Sequence, residues 1–371
     1  MVVYVCQLLL IGLTGIIIKP AESYGNKRRF LFIAFLILVT VSGFRAFSVG
    51  ADTWNYVRMF NNINTGTIEN RIENGFRFYL KMLRFCSDDP RLLLIVSSCI
   101  CIGATCLFIL KLSRTPVVSV MLYVLMGAYF TQMNTMRQSL ALAFTEIAFT
   151  LLLCDKKRTG NITIAAALLI IIAKSFHTIA MIAFVPFVLL LLLRKRDPQQ
   201  STRFSAETIL LYSSAAAVAG FVAYPVIIKV AGLILPGYVG YLTHSQWSDS
   251  NYNASLFNTL IVLVFVVTGG LTFKKRKLSN NQVFAAIMIG FALIFNVLSM
   301  RMEIWGRVAG LFSIYTYLLW APEFISDIES YENRFIIQNA ILIFGFAYMI
   351  IVLVFRPEWT LVVPYYFGSH M

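Results

Sequence analysis

In the stretch TQMNTMRQSLALAF (131–144), Arg137 stands where a polar run gives way to leucines and alanines. A guanidinium in that place either anchors a helix at a lipid interface or binds an anion. Its planar fork grips phosphate oxygens in pairs and keeps its charge at any working pH. Other ionisable residues flank apolar segments in the same way: Arg45, Asp52, Glu73, His177, Arg301, Glu303 and Arg307. Several arginines, one histidine and few carboxylates suit a substrate that carries phosphate. A histidine with a reference pKa of about 6.5 is suited to handling the proton of a hydroxyl at neutral pH. Aromatic residues near these charges (Trp54, Tyr56, Tyr238, Tyr241, Trp247 and Tyr252) have faces on which sugars stack.

Each of these residues also has an ordinary reading. Arginines at the ends of membrane spans snorkel to headgroups, and aromatic side chains form interfacial belts. Glu303 precedes Arg307 by one helical turn in the favourable order for an ion pair. Asp52 is placed to cap the helix that follows it, and His177 to close a turn. What favours a site is the meeting of several such residues at one membrane depth.

That meeting depends on the spans. The chain is 59% hydrophobic and 13% charged, with a formal charge of +14. Apolar blocks of about twenty residues match the thickness of a bilayer. The expected fold is an all-α polytopic integral membrane protein with one helical domain over 1–367. The closing GSHM (368–371) reads as a tag remnant. About twelve spans are expected near 2–18, 30–47, 91–110, 116–132, 137–154, 161–174, 178–193, 207–231, 255–273, 281–299, 307–321 and 335–355. Pro225 is expected to kink the eighth. The basic clusters NKRR (26–29), DKKR (155–158), RKR (194–196) and KKRK (274–277) lie between spans. Basic loops mark the cytoplasmic face, and the N-terminus then lies outside. Two sizeable periplasmic loops follow, about 48–90 and 236–254. The charge excess is therefore topogenic and does not point to nucleic acid. The six cysteines have no zinc-site spacing and read as small packing residues.

The chain has no P-loop, GxGxxG, HExxH or spaced Asp-x-Asp in an outer loop. No cofactor, divalent metal or soluble nucleotide-sugar donor is expected.

Four ordered stretches carry a resemblance: RAFSVGADTWNYVRMF (45–60), ENGFRFYLKML (73–83), MRQSLALAF (136–144) and KSFHTIAMIAFVPF (174–187). In this order they resemble the EpsG/Wzy-like bacterial polysaccharide polymerases, and RMEIWGRVAGLF (301–312) is similar to that family's later arginine-bearing span. The resemblance implies an enzyme of the bacterial inner membrane with its active site facing the periplasm. Donor and acceptor would both be undecaprenyl-pyrophosphate-linked oligosaccharides, and the growing glycan would pass to the non-reducing end of a new lipid-linked unit. The anomeric phosphate bond already supplies an activated leaving group, so no metal is consumed. Carried onto this chain, Arg137 with Arg301 or Arg307 would clamp pyrophosphate, supported by Arg45. His177 would orient or deprotonate the acceptor hydroxyl. Asp52 and Glu73 would position sugars or fix the arginines, with Trp54, Tyr56, Tyr241 and Trp247 against the sugars. Membrane lipid and a chain-length regulator are the expected partners.

Two rivals use similar substrates. An O-antigen ligase usually carries a larger late outer loop than the one here. A lipid-linked oligosaccharide flippase should show two similar halves and charges throughout its depth. Glu146 is the one acid deep in a span, roughly 13 Å beyond Arg137 and on the opposite helical face. It reads as a buried, hydrogen-bonded structural acid.

Overall fold

The computed structural model describes residues 1–65, 72–157, 159–193, 205–234, 252–274, 276 and 278–368. Among them the chain is helical, and it divides into two compact units: residues 1–187 with 329–371, and residues 188–328.

The first unit holds α1 (Val2–Ile18), α2 (Tyr24–Gly43), α3 (Thr53–Asn61), α4 (Asn74–Cys86), α5 (Arg91–Leu112), α6 (Pro116–Leu125), α7 (Ala128–Asn134), α8 (Met136–Cys154) and α9 (Gly160–Phe176). A 3-10 turn (Thr178–Ala183) leads into α10 (Phe184–Leu193), within which the boundary between the units falls. The second unit holds α11 (Ala206–Val222), α12 (Tyr224–Ile234), α13 (Tyr252–Thr272), α14 (Asn280–Ser299), α15 (Ile304–Tyr315) and α16 (Ala321–Ser326). The chain returns to the first unit in α17 (Tyr331–Ile350).

Six helices among the described residues are long and apolar enough to cross a membrane, or up to eight if two bent pairs each count as one span. The expected count of about twelve is not reached on that test, for identifiable physical reasons. The segment expected as 116–132 breaks at Gly127, which takes φ 77°, and α6 and α7 meet at a 54° bend. Only glycine adopts that left-handed conformation without strain. The segment 178–193 begins as a 3-10 turn, while α1 and α9, at 17 residues each, are shorter than the bilayer test requires. The eighth expected span bends by 66° beside Pro225, as its sequence implies.

The segment expected as a first outer loop, about 48–90, is helical over much of its described length. It contains α3 and α4, each with one apolar face: Tyr56, Val57 and Phe60 on α3, and Phe76, Tyr79, Leu80 and Leu83 on α4. These spacings of three and four residues form a stripe that must be buried. It packs on Leu93, Leu94 and Cys101 of α5 and on Met136 and Leu140 of α8. A hydrogen bond of 2.9 Å between Tyr79 Oη and Ser97 Oγ fixes α4 against α5.

The helix ends of the first unit sort into two groups. At one end Lys27 Nζ donates to the Ser113 carbonyl, and Lys111 Nζ lies 3.2 Å from Tyr24 Oη. At the other end a strap after α17 returns across the loop that follows α2. Gly50 N donates to Leu361 O at 2.8 Å, Ala46 N to Tyr366 O at 2.8 Å, and Tyr4 Oη to Val362 O at 2.9 Å. Buried Asn134 joins strap and loop, donating to Thr360 O at 2.8 Å and accepting from Ala51 N at 2.9 Å. In the second unit the buried Trp320 donates from its indole nitrogen to Phe265 O at 2.8 Å.

Candidate active site

Arg137 is the second residue of α8, so its cation sits where the exposed amides already make the helix terminus positive. That placement is unfavourable without an anion. Glu73 supplies one: Arg137 Nη1 lies 2.7 Å from Glu73 Oε2, with the two side chains 26% and 16% exposed. The guanidinium also donates to the Tyr56 hydroxyl, while its Nε is buried without a hydrogen-bond partner. Burial of the Tyr56 phenol raises its pKa, and the neighbouring Arg137 charge opposes that rise.

Glu73 is the residue that caps the start of α4 by position, but its carboxylate turns away from that helix. Its Oε1 accepts from Thr178 N at 3.2 Å. One carboxylate therefore links the head of α8 to the turn that begins at His177. The approach is close because Gly75 lies against that turn: a Cβ there would sit 2.1 Å from Ser175 Oγ and 2.7 Å from Ser175 O. Phe176 completes the junction, its ring centroid 6.0 Å from that of Tyr79 and 5.1 Å from that of Phe144.

His177 ends α9 and caps the 3-10 turn, its Nδ1 accepting from Ile179 N at 3.4 Å. An accepting Nδ1 carries a lone pair, so the neutral ring holds its proton on Nε2.

Arg45 has a different setting. It is 1% exposed, and its guanidinium donates to the carbonyls of Ser42, Val49 (3.3 Å) and Met133 (2.9 Å) and to Thr53 Oγ1 (3.4 Å). Its own carbonyl accepts from Arg91, whose guanidinium lies 4.6 Å over the Phe47 ring. These contacts hold the loop after α2 onto α7. The cavity between Arg45, Ser42, Ser98, Tyr129, Gln132 and Met136 has room for no more than a water molecule.

Asp52 precedes α3 without a side-chain capping bond, and its charge acts on Tyr56. Trp54 is 51% exposed, whereas Tyr56 is 6% exposed with its ring edge-on to Phe76. Of these two aromatics only Trp54 has a face open to a ligand. Tyr241 and Trp247 lie outside the described residues. Arg301, Glu303 and Arg307 belong to the second unit, where Glu303 precedes α15 and the Arg301 guanidinium lies 4.0 Å over the Phe221 ring. Glu146 is fully buried and accepts from Thr105 Oγ1 at 3.0 Å.

The first unit thus brings Arg137, Glu73, Tyr56, Asp52 and the His177 turn together. The sequence named all five residues and offered Glu73 as one that positions sugars or fixes the arginines, without choosing between the two. The role of Tyr56 as a direct partner of Arg137 had one readable signal. Tyr56 falls on the apolar stripe of α3, which marks it as an inward-facing residue.

The long apolar helices are those of a membrane protein, and one end of the first unit carries an arginine-centred polar cluster. The chain belongs to the EpsG family, whose model matches residues 28–367. This family is one of Wzy-like polysaccharide polymerases. No curated protein and no solved structure matches the chain.

Proposed function

We propose that this polysaccharide polymerase joins undecaprenyl-pyrophosphate-linked oligosaccharide repeats, passing the growing glycan to the non-reducing end of a new lipid-linked unit. The observation that carries the reading is the junction of Arg137, Glu73 and the His177 turn in a chain of the EpsG family. Arg137 supplies the charge and paired donors that pyrophosphate needs as the glycosidic phosphate bond breaks. Arg301 and Arg307, in the second unit, are proposed as phosphate-binding residues on their chemistry alone. Arg45 is assigned to holding its loop, because its donors are taken by backbone carbonyls. His177 directs the acceptor hydroxyl from Nε2, Asp52 and Trp54 position sugars, and Tyr241 and Trp247 are proposed as further sugar-binding residues.

The site is proposed to face the periplasm from the bacterial inner membrane. Lys27 and Lys111 meet Ser113 and Tyr24 where α2 begins and α5 ends, and a basic end of that kind belongs in the cytoplasm. The donor already carries its leaving group, so the reaction proceeds without nucleotide or metal. Purified protein incubated with lipid-linked repeat units tests the reading. A ladder of products formed without nucleotide supports it, and transbilayer movement without new glycosidic bonds supports a flippase instead. Transfer to a lipid A core in place of a ladder supports a ligase.

A further inference from the structure

Resting on the polymerase reading, we infer that Glu73 is the proton acceptor of the reaction, and that pyrophosphate uncovers it by taking Arg137. Three observations carry this. Glu73 is held in place by two partners of different kinds, the Arg137 guanidinium at 2.7 Å and the Thr178 amide at 3.2 Å. Only the first of these can be competed away by an anionic substrate. The second is a backbone amide, and it keeps the carboxylate on the turn that begins at His177 after Arg137 leaves.

The second observation concerns His177. Its Nδ1 accepts from Ile179 N, which places the proton of the neutral ring on Nε2. A ring in that state orients a hydroxyl by donating to it and has no lone pair on Nε2 to take its proton. The carboxylate bonded to the amide of the following residue, Thr178, is that of Glu73.

The third is the buried Nε of Arg137, a donor without an acceptor while the guanidinium is paired with Glu73 and Tyr56. A pyrophosphate offers more acceptor oxygens than one carboxylate can, so the exchange satisfies that donor.

In the step itself, the acceptor hydroxyl oxygen attacks the anomeric carbon of the donor glycan. The bond from that carbon to the pyrophosphate oxygen breaks, and its electron pair leaves with undecaprenyl pyrophosphate. The hydroxyl proton passes to Glu73, which later returns it to solvent. Until donor is bound, the Glu73 oxygen that faces Arg137 is occupied by that pair. The base is therefore armed only when there is something to transfer.

The test compares wild type with Glu73→Gln in two measurements: binding of undecaprenyl pyrophosphate, and ladder formation from lipid-linked repeat units. Glutamine keeps one oxygen for the Thr178 amide and turns its NH2 toward Arg137, so it retains the tie to the His177 turn while releasing the guanidinium and removing the basic group. The expected result is binding equal to or tighter than wild type, with ladder formation reduced by about a hundredfold or more. Ladder formation within about fivefold of wild type overturns the inference. Parallel loss of binding and ladder also overturns it, because Glu73 would then serve only to place Arg137. A wild-type protein that binds undecaprenyl pyrophosphate but builds no ladder overturns the polymerase reading itself and the inference with it.

Discussion

Arg137 and Glu73, 64 residues apart in the chain, form a 2.7 Å ion pair at the head of α8. The pair offsets a cation placed at the positive end of a helix, so Arg137 without Glu73 is poorly tolerated there, and two like charges facing each other repel. Reversing one partner, in Arg137→Glu or Glu73→Arg, is expected to lower the amount of folded protein. Reversing both should recover about 1–3 kcal/mol of coupling in thermal melts. The double reversal should still build no polymer, since the guanidinium no longer stands at the helix head. Recovery of polymer along with stability would show that the pair serves the fold alone.

Arg45 differs from Arg137 in kind, and its substitutions should show it. Removing a fully buried guanidinium takes the Arg45 donors from the carbonyls of Ser42 and Met133, whereas Val49 O keeps Thr53 Oγ1. Arg45→Ala is expected to cost upward of about 3 kcal/mol, at about 1–3 kcal/mol for each stranded group. Arg45→Lys should rescue little, because one ammonium cannot reach acceptors spread around a planar fork. Membrane abundance and melting temperature are the measurements. A stable but inactive Arg45→Ala would return this residue to the phosphate site.

Gly75 sets the distance between Glu73 and the His177 turn. A Cβ added there would meet the Ser175 carbonyl oxygen at 2.7 Å as well as its hydroxyl. Gly75→Ala should therefore separate α4 from the end of α9, costing about 1–3 kcal/mol in stability and lowering polymer formation. Combining it with Ser175→Gly should not restore activity, because the carbonyl remains. Full activity in Gly75→Ala would show that the junction tolerates displacement.

The parts of this architecture that follow from local pattern were readable, and those that depend on distant partners were not. The apolar run of α1 has the same bounds in sequence and structure, and the bend beside Pro225 follows from that residue's chemistry. Gly127 was harder, because the apolar run continues through it and only its left-handed φ ends the helix. The stripes of α3 and α4 have helical spacing, yet their many charges and short lengths made the segment read as a loop. The interface arginines look alike in sequence. What separates Arg45 from Arg137 is that backbone carbonyls surround the first, and residue types do not encode where those carbonyls fall.

Polymer formation is expected to survive EDTA, because the donor carries its own leaving group and arginine supplies the compensating charge. Loss of activity on chelation with recovery on magnesium would transfer the phosphate role to a metal held by carboxylates such as Asp52 and Glu73.

If Arg137 grips pyrophosphate, Arg137→Lys should impair polymer formation. Lysine keeps the charge and snorkels as well as arginine does, but it loses the paired hydrogen bonds of the planar fork. The measurement is ladder formation from lipid-linked repeat units, normalised to folded protein, for wild type, Arg137→Lys and Arg137→Ala. A loss of about 1.5–3 kcal/mol of transition-state stabilisation is the scale of a charge-assisted hydrogen bond. That predicts a rate roughly ten- to a hundredfold lower for Arg137→Lys, and lower still for Arg137→Ala. His177→Ala should likewise stop the ladder while leaving undecaprenyl pyrophosphate bound. Wild-type rates in both Arg137 variants would contradict the account and make Arg137 an interface anchor.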